Sequence, residues 1–565
     1  MNFYEKGTDP GFWKEVREKD CFQKYRDELH ELWKKHCEDK PMLTLTYRDF
    51  KLFWVTGNRT VYQDAYFSRR LAMDCSALLS LIYPEEPKYL DRLMDEIYAI
   101  CDEYTWALPA HQRILEVNNN KMIDLFAAET AFALSEIYTL LEDRLEPLIK
   151  NRIKAEIDRR VAEPFLACEK YDSHWELGTT NWTAVCMGSI GCMLMLMHPE
   201  LVDEKLIERF DRSMNTFLSG FSSEGICYEG CGYWHYGFGF FVVFADMIKK
   251  FTNGKVDYFA RPDVKIISTF IQKMFLSGTV CASFADGPRN RNYHLGLLHY
   301  LKSRYPNDVV VYSPNMSYNY DECGRFCLQL RSVLWFDEDI YNNSANDAVS
   351  SEYHAEEAGW FVKRTKNYGF AAKAGKNAEH HNHNDVGSFI FAKNGKQLLM
   401  DLGSGGYSRQ YFEKGVRYTI LECSSRGHSV PIINGNYQMQ GHQFKSKNVI
   451  MDNGVFEYDI AETYQNIPEL RSLVRKFVCD DKKVTLTDTY DYVGEGNITE
   501  RFVSLYVPEI DTENATVKVD EAAIRYDPNV CTPVINSEVR IAGDTCYFID
   551  FVIPKGTTSF GIEIE

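Results

Sequence analysis

No membrane span is expected in this chain: no uncharged run reaches the roughly 18 apolar residues a membrane helix needs. The opening segment, MNFYEKGTDPGFWKEV, does not join a basic region to an apolar one. No secretory leader is read there, and a cytoplasmic location is expected. Cys-x-x-Cys spacings are missing. The closest of the 16 cysteines, Cys227/Cys231 and Cys323/Cys327, stand four apart. That excludes a zinc ribbon and favours reduced, buried thiols. Positive charge is in short supply, with 63 Lys and Arg against 81 Asp and Glu and a formal net charge of -18. Nucleic acid is bound mainly by neutralising phosphate, so it is not an expected partner. A local basic pocket for an anionic ligand remains compatible with such a surface. Low-complexity tracts and a fixed repeat period are also missing.

What is present is an ordinary globular composition, 45% hydrophobic and 25% charged, on 565 residues. That length exceeds what one hydrophobic core usually supports. Aromatics reach 14%, an excess that serves either large cores or carbohydrate clefts. Up to about residue 340 the apolar period is helical. In KYLDRLMDEIYAI, Leu90, Leu93, Met94, Ile97 and Tyr98 fall on one helical face. LIERFDRSMNTFL repeats the pattern with Leu206, Ile207, Phe210, Met214, Phe217 and Leu218. Beyond about residue 350, short strand-like runs alternate with turns. Asn394-Gly395 and Asn453-Gly454 each separate two apolar runs, the strongest short hairpin signal. KVTLTDTYDYV, ERFVSLYV and CYFIDFVI continue the texture. The expectation is an all-α domain over residues 1–345 and an antiparallel β-sandwich domain over 346–565.

Between them in character lies EHHNHNDVGSF, which places His380, His381, His383 and Asp385 within six positions of a chain that has 14 histidines. Crowded imidazoles repel when protonated and need a shared reason to coexist. In an extended segment His381 and His383 face the same side. Asp401, after the hairpin, is placed to return near His383, and His428 is a further histidine downstream. His383, Asp401 and His428 make an N2O1 set for a divalent metal such as Zn²⁺, completed by water or another ligand. Asp385 is alternatively an outer partner that fixes a histidine tautomer.

At these residues the chain resembles the heparinase II/III family of polysaccharide lyases. HHNHNDVGSFIFAKNGKQLLMDLGSGGY is similar to that family's H-x-H-x-D, hairpin, aspartate and glycine-rich turn. RYTILECSSRGHSVPIING resembles its next segment, which carries a metal-ligand histidine. TTNWTAVCMGSIG and EGICYEGCGYWHYGFGF resemble its asparagine-tryptophan helix start and its glutamate-glycine stretch before a catalytic tyrosine. The matches span about residues 100–440 in the family's order. The resemblance implies an incomplete α/α toroid followed by an antiparallel β-sandwich. It also implies β-elimination at a uronic acid of an anionic polysaccharide or oligosaccharide.

The C5 proton of a uronate is weakly acidic while its carboxylate is charged, so a donor must offset that charge as the enolate-like intermediate develops. By resemblance Asn181 polarises the carboxylate, a tyrosine is the acid, or both acid and base, and His381 is the second proton-transfer group. Histidine titrates near neutrality and suits that role. The resemblance points to Tyr236, whose distance from Asn181 is nearer the family's, with Tyr233 in reserve. Where some members carry an ionisable residue one turn after the asparagine, this chain has Ala184. Candidates for substrate binding are Trp106 and His111 in TWALPAH, Trp182, His235, Arg289 and Arg291 in FADGPRNRNYH, and Arg417. Arginine forks suit carboxylate and sulfate. The metal, expected to be structural, would brace the histidine segment. A C5-epimerase and a non-catalytic glycan-binding protein are the competing readings, separated by the ultraviolet absorbance of an unsaturated product. Oligomeric state is left open, with a homo-oligomer among the options.

Overall fold

A computed structural model describes residues 2–112, 121–289, 293–312, 316–318, 321–345, 349–464 and 466–565. Arg291 lies outside them. The architecture is an incomplete α/α toroid followed by antiparallel β-sheets packed as a sandwich.

Two kinds of helix build the toroid. Thr60–Ile82, Leu125–Leu141, Asn181–Met197, Gly239–Phe251 and Phe326–Leu334 are buried nearly all round and make the inner layer. Pro87–Cys101 and Glu204–Leu218 are one-sided and lie outside it. Asn181–Met197 packs on Leu125–Leu141, Gly239–Phe251 and Glu204–Leu218. The buried face of Pro87–Cys101 is rotated from the expected one. Tyr89, Leu93, Glu96, Ile97 and Ile100 are buried, whereas Tyr98 is 44% exposed. Tyr98 instead lies beneath the Arg152 guanidinium, a cation–π contact that needs no burial. The helical half is also not purely helical. Phe275–Ser277 pairs with Val280–Cys281, and Tyr293–His294 pairs with Met316–Ser317. The last helix of this half is Glu338–Asn342, and the first strand of the large sheets is Ser351–Ala355.

Both Asn-Gly hairpins form. Asn394/Gly395 and Asn453/Gly454 all have positive φ, the backbone a tight I′ turn demands. The first joins Phe389–Lys393 to Lys396–Leu399 in a five-stranded antiparallel sheet. Strand alternation divides this sheet's side chains between two cores. Trp360, Val362, Ala371 and Ile390 face the helices. Phe361, Phe370, Phe389 and Phe391 face the other sheets. There Phe389 meets Phe477 of the eight-stranded sheet and Phe502 of the four-stranded one. The five-stranded sheet is therefore the layer that fastens the sandwich to the toroid, and the histidine segment enters it at Phe389.

The 16 cysteines, all among the described residues, form no disulfide, and all but Cys21, Cys168 and Cys323 are buried. Among the described residues no helix is long and apolar enough to cross a membrane.

Candidate active site

Asn181 opens the helix Asn181–Met197, where backbone N–H groups lack intrahelical partners. Glu229, from a loop, fills that role. Its carboxylate accepts the Asn181 backbone N–H and side-chain Nδ2, each at 2.9 Å. This fixes the amide with Oδ1 buried and unpartnered. The same Glu229 Oε1 stands 3.6 Å from His381 Nε2. His381 lies in a turn rather than an extended strand, with φ of 55°, a strained conformation for a residue with a Cβ. That turn, not strand alternation, brings His381 and His383 to one carboxylate.

That carboxylate belongs to Asp286, which is buried. It accepts His381 Nδ1 at 2.5 Å and His383 Nε2 at 3.0 Å. Tyr407 donates to it at 3.1 Å, Tyr411 also donates, and Arg417 approaches at 3.3 Å. Burial alone would raise the Asp286 pKa. The imidazole hydrogen bonds outweigh burial and hold it well below the carboxylate range. Asp286 and Glu229 were not singled out in the sequence, although FADGPRNRNYH and YEGCGYWHY were. An aspartate before Gly-Pro reads as a turn residue until the fold shows what it faces.

The tyrosines separate. Tyr233 ends the short helix Cys231–Tyr233 and runs into a π-helical turn, Trp234–Phe238. The Tyr233 ring stacks on His381, centroids 4.2 Å apart, and its hydroxyl meets that of Tyr407 at 2.8 Å. Tyr236 instead donates to Glu129, and the Arg325 guanidinium lies 3.8 Å above its ring. The wider π-helical turn removes the shared face that α-helical spacing predicts. Of the two tyrosines, it is Tyr233 and not the favoured Tyr236 that adjoins His381. Burial, then the Asp286 charge, raises the Tyr233 pKa, so the phenol is protonated near neutral pH.

Among the binding candidates, His111 and Trp182 meet edge to face at 4.8 Å. Arg59, missed in the sequence, donates to His111 Nε2 at 3.2 Å, which leaves Nδ1–H to donate to Asp124 at 2.7 Å. The Arg59 guanidinium also lies 5.6 Å from both the Tyr407 and Phe412 rings. Phe412 is 47% exposed and edges toward His381. Trp182, His111, Arg59, Phe412, His381 and Tyr233 therefore form a continuous wall of rings and cations. Trp106 and His235 do not join it. Trp106 is 1% exposed, with its indole N–H on the Ile100 carbonyl. His235 is 2% exposed, stacked on His294 and accepting its backbone N–H. Both are core residues, because their polar atoms find backbone partners inside. Arg289 is half-buried against Met400 and lines a separate cavity. Ala184 is fully buried, so no polar group follows Asn181 by one turn.

Behind His381 lies a buried cluster of His383, Asp385, Asp401 and His428, in which one donor atom of each is within 4.8 Å of the others. His383 Nδ1, Asp385 Oδ2, Asp401 Oδ2 and His428 Nδ1 are all buried without a hydrogen-bond partner. The remaining atoms are committed. His383 Nε2 is on Asp286, and His428 Nε2 is on the Glu422 carbonyl at 2.8 Å. Asp385 Oδ1 accepts Lys373 at 2.6 Å, and Asp401 Oδ1 accepts the Gly403 N–H. These outer bonds set both imidazoles with an Nδ1 lone pair facing the two free carboxylate oxygens, a donor set that fits a tetrahedral metal ion.

Residues 350–522 match the family model of the heparinase II/III-like C-terminal domain. No curated protein matches the sequence. Among solved structures, heparinase III superposes with a TM-score of 0.59 at 13% identity, covering 100% of this chain and 92% of that one. A chondroitin AC lyase of Streptomyces coelicolor A3, in complex with chondroitin sulphate, gives 0.55 at 8% identity, covering 98% and 82%. A heparinase III gene product gives 0.52 at 10% identity, covering 99% and 92%. At these identities the likeness is one of fold, and it extends over both the helical and the sheet parts. Over residues 350–522, therefore, the chain carries a heparinase II/III-like C-terminal domain.

Proposed function

We propose that this protein is a glycan lyase that cleaves a uronic-acid-containing, glycosaminoglycan-like chain by β-elimination. The family match and the lyase fold support the reaction class. One observation carries the assignment: Tyr233 stacks on His381, while Glu229 holds the Asn181 amide and stands 3.6 Å from the same imidazole. An amide, a phenol and an imidazole thus surround one small volume beside an aromatic and cationic wall.

Asn181 Nδ2 gives one N–H to Glu229 and has a second to donate to the substrate carboxylate as charge moves onto it. His381 Nδ1 is occupied by Asp286, so Nε2 takes the C5 proton. Tyr233, kept protonated by burial and by Asp286, gives its proton to the departing O4. Arg59 has no carboxylate partner among the described residues and orients the anionic sugar. His383, Asp385, Asp401 and His428 hold a divalent ion, most simply Zn²⁺, which braces the His381 turn. Metal analysis of the purified protein should find one ion per chain.

The test is a panel of uronate glycans followed by the ultraviolet absorbance of the unsaturated product. Asn181→Ala and His381→Ala should each abolish the signal in folded protein. Proton exchange or inversion at C5 without that absorbance would make the protein an epimerase. Binding of the glycans without either reaction would make it a glycan-binding protein.

A further inference from the structure

A cavity of about 560 Å³ opens beside the loop that carries Asp286, at Gly287, Pro288 and Arg289. It shares no lining residue with the groups around His381. Among the described residues three cations line it, Arg289, Lys396 and Arg540, and no acidic residue does, in a chain of net charge -18. Two of the cations are already compensated. Arg540 pairs with Glu422 and Asp544 at 3.0 Å each, and Lys396 pairs with Asp520 at 2.7 Å. Arg289 is not. Among the described residues its guanidinium meets only the Met400 sulfur, at 3.9 Å, and no carboxylate within ion-pair distance. Burial and then the Arg540 charge press its pKa downward, as expected of a cation taken from water without a counter-charge.

Two features give the cavity a shape beyond that of a bare ion site. Its volume falls in the range of small-molecule pockets, roughly 300–1,000 Å³. Its wall includes the Tyr506 ring, with the Lys396 ammonium 5.9 Å from the ring centroid. An aromatic face beside a cation suits a sugar ring carrying an oxyanion.

We propose that this cavity is a second binding site for an anionic sugar, a hexose bearing one sulfate ester or carboxylate, with Arg289 as its anion-reading group. The site goes beyond the proposed elimination and does not depend on it. It holds a product or a chain terminus that the cleft does not contain.

Calorimetric titration of the full chain with glucose 6-sulfate, glucuronate, glucose and inorganic sulfate tests this. At least one anionic sugar should bind more tightly than glucose and than sulfate alone, and the comparison of sulfate ester with carboxylate identifies the oxyanion. Arg289→Met should weaken that binding by roughly tenfold or more, the loss expected for a charge-assisted contact. Lys396→Gln, at an exposed hairpin tip, should weaken it as well and is read even if Arg289→Met fails to fold. His381→Ala should leave it intact. Equal binding of glucose, equal binding of sulfate alone, unchanged affinity in a folded Arg289→Met protein or unchanged affinity in Lys396→Gln would overturn the proposal. So would loss of binding in His381→Ala, which would place the sugar in the cleft. Failure of the elimination assay leaves the titration unaffected, so the two proposals fail separately.

Discussion

Tyr233 and Tyr236 differ by three positions and by the carboxylate each one answers to. Tyr233 reaches Asp286 through Tyr407, whereas Tyr236 donates to Glu129 inside the toroid. Tyr233→Phe should therefore lower kcat by about 10²–10⁴-fold, the usual worth of a positioned proton donor. Tyr236→Phe should keep most activity and instead cost about 1–3 kcal/mol of stability, because Glu129 is left buried and short of a donor. Product absorbance and urea unfolding measure the two effects, and the reverse pattern would move the acid to Tyr236. A second residue-scale expectation concerns His299, which is fully buried and accepts the Asp337 N–H at 3.0 Å. Burial lowers its pKa from 6.5 to about 4. The unfolded chain takes up the proton first, so stability present above pH 6.5 is lost as pH falls toward 4. The loss is on the order of 3 kcal/mol. His299→Leu should flatten that part of the pH profile, and urea midpoints at pH 7 and 4.5 that shift equally in both proteins would refute it.

At the scale of elements, the π-helical turn Trp234–Phe238 sets the site, and a glycine lets it approach Asn181. A Cβ on Gly237 would lie 2.9 Å from the Asn181 Cβ and 3.0 Å from its Cα, closer than real contacts allow. Gly237→Ala should shift the helix start that carries Asn181 and lower kcat/KM by about tenfold or more, since small misplacements of a catalytic group are costly. A variant with wild-type kcat/KM would show that the turn can yield without moving the amide. Elements were legible wherever the local signal and the tertiary demand agreed. The Asn-Gly hairpins, the strands Val484–Tyr492 and Ile498–Ser504, and the helices Pro87–Cys101 and Glu204–Leu218 all lie where period and turn chemistry place them. The histidine segment was not legible as a turn. Its φ of 55° at His381 is held by Asp286, a residue 95 positions away, and no local propensity encodes that.

Across the whole molecule, one buried arginine ties the sandwich to the cluster of His383, Asp385, Asp401 and His428. Arg475 pairs with Asp488 and Glu500 at 2.6 Å, all fully buried. Its remaining N–H groups hold the Gly387 and Ser429 carbonyls at 2.8 and 2.9 Å. Those carbonyls lie just after Asp385 and His428. Arg475→Met would leave two carboxylates without a counter-charge, at a cost of about 3–5 kcal/mol. It should also reduce the bound metal measured per folded chain. Full metal content in a folded variant would uncouple the sandwich core from the cluster.

The sequence alone determined what depends on neighbouring residues: helical period before about residue 340, strand period and Asn-Gly turns after residue 350, and the crowding of His380, His381, His383 and Asp385. Asn181 and His381 were pointed to by the resemblance of their motifs, and the set His383, Asp401 and His428 by spacing around the hairpin together with that resemblance. Only the tertiary structure decided which tyrosine meets the imidazole, that Asp286 gathers His381, His383, Tyr407, Tyr411 and Arg417, and that Trp106 and His235 belong to the core. The reason is physical. A buried carboxylate selects its donors by position in space, and Asp286 of the helical half draws all five of these from residues 381–417 across the junction between toroid and sandwich, where chain order carries no information about distance.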